Sequence, residues 1–174
     1  MAMHVIIDGY NLLARIGGMG VLHSEMAREA LLRDLAAYRQ RKGHAVTVVF
    51  DGWQHGQPIE GREHRAGVQV IYSKRGERAD QVIQRLAREY GSDCAIVSSD
   101  HEIVATAKAH GAFIMGAQEF SDKLRALSQF AGVLAHKELD TEEDSRTRRD
   151  QEKKGNPRKL PKAQRQRSKQ LRRF

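Results

Sequence analysis

Short apolar runs and longer helical repeats alternate along the first 136 residues. The runs cover residues 3–7, 45–50, 68–72, 94–97 and 112–115, and they have the length and composition of buried strands. Apolar residues at helical spacing fill residues 24–43 and 79–90 and two later segments that end near Gly111 and Ala135. This alternation predicts an α/β protein, a three-layer α/β/α sandwich with a central parallel sheet of about five strands.

Two stretches between these elements have no apolar period. The pair Asp8-Gly9 after the first strand predicts a turn, and residues 53–66, rich in glycine, histidine and charge, predict a surface loop. Beyond Lys137 apolar residues become rare. We therefore expect a folded domain over residues 1–136 and a charged, poorly ordered tail over residues 137–174.

Carboxylates follow several of the predicted strands. Asp8, Asp51 and Asp100 each lie at the end of a strand, and Asp80 lies in the first turn of a helix. The carboxyl ends of parallel strands meet at one edge of the sheet, where α/β proteins form their sites. Carboxylates crowded there repel one another unless they share a cation. Mg²⁺ prefers oxygen ligands and keeps several waters, which suits phosphodiester hydrolysis.

Each aspartate also has a purely structural interpretation. An aspartate after a strand is a common turn former and helix N-cap, and the helix dipole favours one in the first turn. Asp51, which precedes Gly52, is the weakest of the four, and a role as a turn residue or as a support stays open for it. Their joint placement is what favours a shared metal site.

Polar residues accompany the carboxylates. Asn11 has three interpretations: its amide points at a scissile phosphate, holds Asp8 in place, or caps the turn after the strand. Ser99 brings a hydroxyl and a backbone N–H to a strand end, which suits phosphate oxygens but is also ordinary in a strand-to-helix turn.

A basic turn precedes Asp80. Lys74, Arg75 and Arg78 lie around Gly76, and they are candidates for neutralising RNA phosphates beside the metal. A solvated charged loop is the alternative.

The net charge of +8 is concentrated in the tail. Of the 30 lysines and arginines, ten lie in residues 153–174, which hold no acidic residue, so residues 1–152 hold 20 basic and 22 acidic groups. Such a polycation predicts general, salt-sensitive binding to RNA, with a solubilising extension as the alternative. The basic residues are Lys153, Lys154, Arg158, Lys159, Lys162, Arg165, Arg167, Lys169, Arg172 and Arg173.

The cysteine count and the hydropathy pattern indicate the compartment. The single cysteine, Cys94, cannot form an internal disulfide, and the first residues do not resemble a signal peptide, so we expect a cytoplasmic protein. No apolar run approaches the roughly 20 residues that span a bilayer, which excludes a membrane-spanning role. The sequence does not predict the oligomeric state.

Four short segments occur in an order that is specific when taken together. They are VIIDGYNLL at residues 5–13, VFDG at 49–52, GERAD at 76–80 and VSSD at 97–100. In this combination the chain resembles NYN domains, in particular the bacterial YacP-like branch of the PIN-like nucleases. The resemblance covers about residues 3–130, and we expect the tail to lie outside the shared domain.

The resemblance implies a PIN-like fold and metal-dependent endoribonuclease activity with Mg²⁺, for which Mn²⁺ can substitute. It maps the acidic cluster of the family onto Asp8, Asp80 and Asp100 as metal ligands and catalytic residues, with Asp51 as a secondary candidate. It also maps the asparagine that follows the first strand onto Asn11 as a catalytic residue.

Two further expectations come from the resemblance. PIN-like proteins often carry another acidic residue near the end of the domain, and the choice between Glu119 and Asp122 stays open here. YacP-like proteins are also linked to cleavage of messenger RNA on translating ribosomes, which implies mRNA and the ribosome as partners.

A nonenzymatic RNA-binding or ribosome-binding protein that keeps the fold is the main alternative, and metal-dependent cleavage separates the two hypotheses. A nucleotide-binding or phosphoryl-transfer domain fits less well. No GxxxxGKS/T or GxGxxG loop opens a helix after a strand, and Asp8 lacks the second aspartate two residues on that an aspartyl phosphatase uses.

Overall fold

Six strands form one central sheet. A computed structural model of the protein describes residues 2–17, 20, 24–52, 58–137 and 162–174, apart from the side chains of residues 129–137, 162 and 165. The strand order is β3-β4-β2-β1-β5-β6, in which β3 is antiparallel to β4 and all other pairs are parallel. The strands are β1 (His4–Asp8), β2 (Ala45–Phe50), β3 (Gly61–Arg65), β4 (Val68–Tyr72), β5 (Cys94–Val97) and β6 (Phe113–Met115).

Helices connect β1 to β2, β4 to β5 and β5 to β6. The predicted α/β sandwich is confirmed, since helices flank a mostly parallel sheet. The helices are α1 (Gly9–Gly17), α2 (Glu25–Lys42), α3 (Ala79–Tyr90), α4 (His101–Ala109), α5 (Ala117–Lys137) and α6 (Lys162–Leu171).

The edge strand β3 corrects the prediction of a loop over residues 53–66. Residues 53–57 of that segment lie outside the described part, whereas Gly61–Arg65 pairs with β4. Four of the five β3 residues are exposed. An edge strand of this kind carries no apolar alternation, and the sequence pattern therefore does not reveal it.

The helix α1 corrects the prediction of a turn at Asp8-Gly9. The helix begins directly after β1, and the carboxylate of Asp8 accepts a hydrogen bond from the backbone N–H of Asn11 (3.1 Å), as an N-cap does. Leu12 and Leu13 are buried and attach the helix to the core. Only two buried leucines mark α1, which is too few for a periodic pattern.

Both Asp-Gly pairs owe their glycine to close packing. Neither Gly9 nor Gly52 has a positive φ. A Cβ atom on Gly9 would lie 2.3 Å from the ring of Phe50, and one on Gly52 would lie 2.0 Å from the carbonyl oxygen of Ser73. The glycines thus let the chain after β1 and β2 pass close to its neighbours, which places the preceding aspartates.

The two faces of the sheet have separate apolar cores. On one face α3 and α4 pack over Ile6, Val49, Ile71 and Ile96 of the central strands, all of them fully buried. On the other side α2 and α5 meet through Tyr38 and Phe120, whose rings pack edge to face with centroids 5.1 Å apart. The central strands are therefore covered on both faces, as their nearly continuous apolar sequences predict.

The chain order in the sheet changes direction beside β1. From β1 the chain adds β2 and then β4 on one side, and it then returns to place β5 and β6 on the other side. The crevice between the carboxyl ends of β1 and β5 is the position where open α/β sheets bind ligands. Asp8 and the Ser98–Asp100 segment lie at this crevice.

The chain divides into two compact units, residues 1–128 and 129–174. In the second unit Lys162–Leu171 is helical, although the sequence predicts no packed structure there. The predicted boundary at residue 136 stays a prediction. None of the helices in the described ranges is long and apolar enough to cross a membrane.

Replacement of Gly52 by alanine tests how the packing at the end of β2 positions Asp51. The added Cβ would clash with the backbone carbonyl of Ser73, so we expect the free energy of unfolding to fall by about 1–3 kcal/mol, as for other overpacked sites. Urea unfolding measures the change. Gly116→Ala is the matched control, because a Cβ there meets no atom within 4 Å. Equal stability of the two variants would contradict the prediction.

Candidate active site

Four aspartates lie at the carboxyl edge of the parallel strands. Asp8 ends β1, Asp51 follows β2, Asp100 follows β5, and Asp80 opens α3. We call Asp8, Asp51, Asp80 and Asp100 the acidic edge. The structure brings them into electrostatic contact, since the charges of Asp80 and Asp51 act on Asp8 and that of Asp100 acts on Asp80.

Asp8 is the most deeply buried member, with only 7% of its surface exposed. Its Oδ1 accepts the Asn11 N–H, and its Oδ2 accepts a longer hydrogen bond from the Ser98 hydroxyl (3.4 Å). Burial, with a smaller contribution from the neighbouring charges, raises the pKa of Asp8 to about 6. The two hydrogen bonds favour the ionised form but do not offset the loss of water.

Asp100 caps α4 and connects to Asp8 through one hydroxyl. Its Oδ1 accepts from the backbone N–H groups of Glu102 (2.8 Å) and Ile103 (3.3 Å). Its own N–H donates to the Ser98 hydroxyl (3.1 Å), the group that also bonds Asp8. The cap leaves Oδ2 of Asp100 without a hydrogen bond to any described residue, so this atom is available to a cation.

Asp51 holds the start of α3. Its Oδ1 accepts a hydrogen bond of 2.6 Å from the backbone N–H of Ala79, the residue directly before Asp80. This contact connects the end of β2 to the helix that carries Asp80. The sequence left two roles open for Asp51, a turn residue or a support for the other carboxylates. The hydrogen bond to Ala79 agrees with the second role.

Asp80 forms an ion pair with Arg78, whose Nη2 lies 2.5 Å from Asp80 Oδ2. Burial raises the pKa of Asp80, the guanidinium of Arg78 lowers it, and the charges of Asp100, Asp51 and Glu102 raise it further. Three other carboxylates therefore act on Asp80. The exposed guanidinium of Arg78 offsets only part of the combined effect of burial and these charges, since the pKa of Asp80 is raised on balance.

Glu102 is a member of this cluster that the sequence analysis missed. It lies in the first turn of α4, two residues after Asp100, and its charge acts on Asp80. The sequence feature that could have identified it is the second carboxylate in the segment Asp100-His101-Glu102. Because α4 begins at the end of a strand, its first turn lies at the same edge of the sheet as Asp100. The candidates Glu119 and Asp122 are not among the strongest charges acting on Asp8 or Asp80.

Asn11 connects α1 to the loop after β5. Its Oδ1 accepts the backbone N–H of Ser99 (3.2 Å), and the Ser99 hydroxyl in turn accepts the N–H of Ala117 at the start of α5 (3.3 Å). The side-chain oxygen of Asn11 therefore already accepts a hydrogen bond. Its Nδ2 has no partner among the described residues, and it remains a hydrogen-bond donor at the crevice.

The basic turn before α3 is exposed. Lys74 and Arg75 form no ion pair with any described residue, whereas Arg78 contacts Asp80. The proposed role of this turn in binding phosphates stays a prediction. In the tail, Lys153, Lys154, Arg158 and Lys159 lie outside the described residues, as does the side chain of Arg165.

Four helices begin at the same edge of the sheet. The helices α1, α3, α4 and α5 all follow the carboxyl side of the sheet, so their N-termini face the crevice region. Backbone N–H groups and the positive ends of the helix dipoles favour anions there. This field stabilises ionised aspartates and also suits a phosphate.

The acidic edge fits a hard divalent cation in its chemistry. It supplies only carboxylate oxygens, and because burial and the charges of Asp80 and Asp51 raise the pKa of Asp8, a nearby cation would favour its ionised form. Within the described residues no group of three or more His, Cys, Asp or Glu side chains has the arrangement of a metal site. Mg²⁺ is commonly held by one or two carboxylates with waters and substrate phosphates, so this arrangement fits Mg²⁺ better than a closed structural ion. Joint ligation by Asp8, Asp80 and Asp100 stays a prediction.

Comparison with known proteins gives consistent matches. The family model described as the YacP-like NYN domain matches residues 5–173. The protein called uncharacterized protein YacP, of Bacillus subtilis strain 168, is 31% identical over 87 residues, which are 48% of this chain and 51% of that protein. The match thus spans about half the length of that relative.

Two crystal structures of Rae1 (YacP) from Bacillus subtilis have similar folds. A mutant form is 26% identical, with a TM-score of 0.65, and the match covers 80% of this chain and 84% of that chain. The second structure is 24% identical with the same TM-score, and the match covers 80% and 82%. At this level of identity the second structure supports the fold alone.

The family match changes one expectation from the sequence. We expected the resemblance to end near residue 130 and the tail to lie outside the shared domain, but the match continues to residue 173. The basic composition of the tail, with few apolar residues, hides this relation from an analysis of short motifs.

Replacement of Asp8 by asparagine should stabilise the metal-free protein. The folded-state pKa of about 6 lies above the value of about 3.9 in an unfolded chain, so folding favours the protonated acid. The ionised Asp8 carboxylate therefore destabilises the folded state. This cost is absent below about pH 4, grows between about pH 4 and 6, and is complete above that range, where it lowers the free energy of unfolding by about 3 kcal/mol. In EDTA at pH 7.5, Asp8→Asn should therefore unfold at a higher urea concentration than the wild type.

Divalent cation should reverse this order. Mg²⁺ should raise the unfolding midpoint of the wild type, because it offsets the charge at the acidic edge, and should raise that of Asp8→Asn much less. Asp93→Asn, at an exposed residue at the opposite end of β5, is the matched control. If Asp8→Asn is less stable than the wild type in EDTA at pH 7.5, the carboxylate does not carry the cost that we infer.

Proposed function

Because the chain belongs to the YacP-like NYN domain family, we propose that it is a metal-dependent endoribonuclease that hydrolyses phosphodiester bonds in RNA. The family carries a PIN-like nuclease fold, and the mostly parallel sheet with flanking helices agrees with it. Metal dependence and the RNA substrate are the parts that this proposal adds.

The observation that carries the proposal is the burial of the Asp8 carboxylate among other carboxylates at the topological switch point. A buried acid with a pKa raised by burial and like charges costs stability, whereas a neutral residue such as asparagine or serine could cap a helix without that cost. Perturbed acids in a crevice of this kind are typical of catalytic sites.

The chain offers three carboxylates for the metal. Asp8, Asp80 and Asp100 would hold Mg²⁺, or Mn²⁺ in its place, and Asp51 would support them through its bond to the start of α3. When bound, such an ion lowers the pKa of a water nucleophile and offsets the charge that develops on the scissile phosphate. Ligation would also offset the cost in stability of keeping the buried Asp8 carboxylate ionised at neutral pH.

The other polar groups would orient the RNA. Asn11 has its oxygen fixed by Ser99, so its Nδ2 is held ready to donate to a phosphate oxygen. The N-termini of α1 and α4 add backbone N–H groups and positive partial charge at the same crevice. Positioning by fixed donors is a large part of phosphodiester catalysis.

The basic turn would hold neighbouring phosphates. Arg78 is paired with Asp80 in the absence of substrate, and a cation at Asp80 would free its guanidinium for RNA. Lys74 and Arg75 form no ion pair among the described residues, and they extend this positive surface along the turn.

Messenger RNA, including mRNA on ribosomes in the cytoplasm, is the substrate that we propose. Two arguments support it: the resemblance to YacP-like proteins, and the charge of the tail, which suits a partner dense in phosphate.

A nonenzymatic RNA-binding function is the second candidate, and particular contacts favour it. Asp80 already forms an ion pair with Arg78, and the Oδ1 atoms of Asp51 and Asp100 accept hydrogen bonds from the starts of helices. A protein that keeps the fold for binding alone could retain such contacts. Cleavage assays separate the two functions.

Asp80→Asn should abolish metal-dependent cleavage. Loss of this charge should lower the rate by about two orders of magnitude or more, as removal of one electrostatic contact does in other active sites. The assay uses single-stranded and ribosome-bound RNA with Mg²⁺ or Mn²⁺, and with EDTA. Asp93→Asn, the same chemical change at an exposed residue away from the acidic edge, should cut at the wild-type rate.

The outcomes of this assay decide between the functions. Cutting that EDTA stops and that Asp80→Asn lacks supports the metal nuclease, and the two substrates show whether the ribosome is required. RNA binding without cutting under any of these conditions supports the nonenzymatic function. Cutting that survives EDTA would exclude the metal mechanism.

Neutralising part of the tail should lower the salt dependence of RNA binding. Lys169 and Arg172 are exposed on or just after α6, and their replacement by glutamine should reduce the slope of log K against log salt by about 1.4 for single-stranded RNA. The control replaces Arg88 and Lys108, which are exposed in the last turns of α3 and α4, by glutamine. An equal change of slope in both double variants would show that the tail has no special part in binding.

A further inference from the structure

A second concave site lies at the end of the sheet opposite the acidic edge. It is a cavity of about 750 Å³, lined by residues at the amino ends of β1, β2 and β4, by the end of β3 and by the end of α2. We call it the basal cavity. His4 and Asp8 are the two ends of β1, so the basal cavity and the acidic edge are about 13 Å apart along this strand.

Polar residues interrupt the apolar strands at the floor of the basal cavity. Thr47 pairs with Gln69 across β2 and β4, and Gln69 pairs with His64 across β4 and β3. Paired residues in a sheet point to the same face, so these side chains form one row. Strands that are covered on both faces are usually apolar throughout, and this polar row therefore marks a part of the sheet that helices leave open.

The hydrogen bonds in this floor have a defined direction. The Thr47 hydroxyl donates to Gln69 Oε1 (3.0 Å), so His4 Nε2, 2.6 Å away, must donate to the Thr47 oxygen. Thr47 has an accessible surface of only 1%, which holds this chain of bonds in place. Because the oxygen of Gln69 is used, its Nε2 amide remains a donor, and it has no partner among the described residues.

The rest of the lining is cationic or neutral. Arg39 is exposed, forms no ion pair with any described residue, and packs its guanidinium against Gly67. His44 and His64 also line the cavity. None of the described residues that line it is an aspartate or a glutamate. A concave site with amide, imidazole and guanidinium groups but without carboxylates is complementary to an anion.

The size of the cavity indicates more than a simple anion. About 750 Å³ is within the range of small-molecule sites and far exceeds an inorganic phosphate. The exposed imidazole of His64 offers a flat face on which a base can stack, as histidine does in RNA-binding proteins. We propose that the basal cavity binds a nucleotide, with the phosphate near Arg39 and Gln69, either as a free nucleotide or as part of an RNA strand.

Calorimetric titration of the full chain with AMP, inorganic phosphate and adenosine tests this proposal. EDTA in the buffer keeps the acidic edge free of metal, so the result does not depend on cleavage. We expect AMP to bind more tightly than phosphate or adenosine alone, because it uses both the donors and the stacking face. Gln69→Glu and Arg39→Ala should each weaken AMP binding by about tenfold, the effect of losing a hydrogen bond to a charged group.

Two controls keep the outcome decisive. Arg33→Ala removes another exposed arginine of α2 that does not line the cavity, and it should leave AMP affinity unchanged. In Gln69→Glu the hydroxyl of Thr47 can still donate to the new side chain, and thermal unfolding checks that both variants remain folded. Absence of AMP binding, equal affinity for phosphate and AMP, or wild-type affinity in both cavity variants would overturn the proposal.

A competition experiment distinguishes a free nucleotide from a nucleotide that is part of an RNA strand. A short single-stranded RNA is titrated with and without saturating AMP. If AMP lowers RNA affinity, and Gln69→Glu removes this effect, the cavity holds part of the RNA strand at a distance from the acidic edge. If RNA affinity does not respond to AMP while AMP binding depends on Gln69 and Arg39, the ligand is a free nucleotide.

Discussion

Hydrogen bonds between strand-end carboxylates and the first N–H groups of helices organise this molecule. Asp8 caps α1, Asp100 caps α4, and Asp51 bonds the first residue of α3. Each bond fixes the direction in which the chain leaves the sheet, and so determines how the helix packs. The same bonds hold three negative charges at one edge, which the helix dipoles tolerate. Fold and candidate chemistry thus depend on one set of contacts.

This double use explains why a structural and a catalytic interpretation of the aspartates do not exclude each other. A carboxylate has two oxygens, and a cap occupies one of them. In Asp100 the cap uses Oδ1 for two backbone donors and leaves Oδ2 without a partner in the described residues. In Asp8 both oxygens have hydrogen bonds, but the bond from Ser98 is long and readily exchanged for a stronger ligand. The helix caps position the free oxygens.

The central helices and strands could be predicted from the sequence because their runs and repeats of apolar residues reflect their burial. Helix α3 and strand β5 have the predicted bounds, since nearly all their apolar residues are buried. The edge strand β3 was missed because its side chains are exposed, and α1 was missed because only a few of its residues are buried. Periodicity detects an element only where one face of it is buried.

The candidate site was predictable in part for the same reason. Asp8, Asp51 and Asp100 could be found because each follows an apolar run, and topology brings strand ends together. Glu102 and the Arg78–Asp80 ion pair could not be found that way, because they depend on the direction of side chains in helical first turns. The polar row of Thr47 and Gln69 was also missed, since single polar residues in apolar strands carry no periodic signal.

The two edges of the sheet have a consequence for how the protein can meet other chains. The strand β3 places the charged side chains of Arg62, Glu63 and Arg65 at one edge, and β6 at the other edge is only three residues long. Charged or very short edge strands discourage the addition of a foreign strand. Contacts with other macromolecules are therefore directed away from backbone pairing, toward the helical surfaces and the two ends of the sheet.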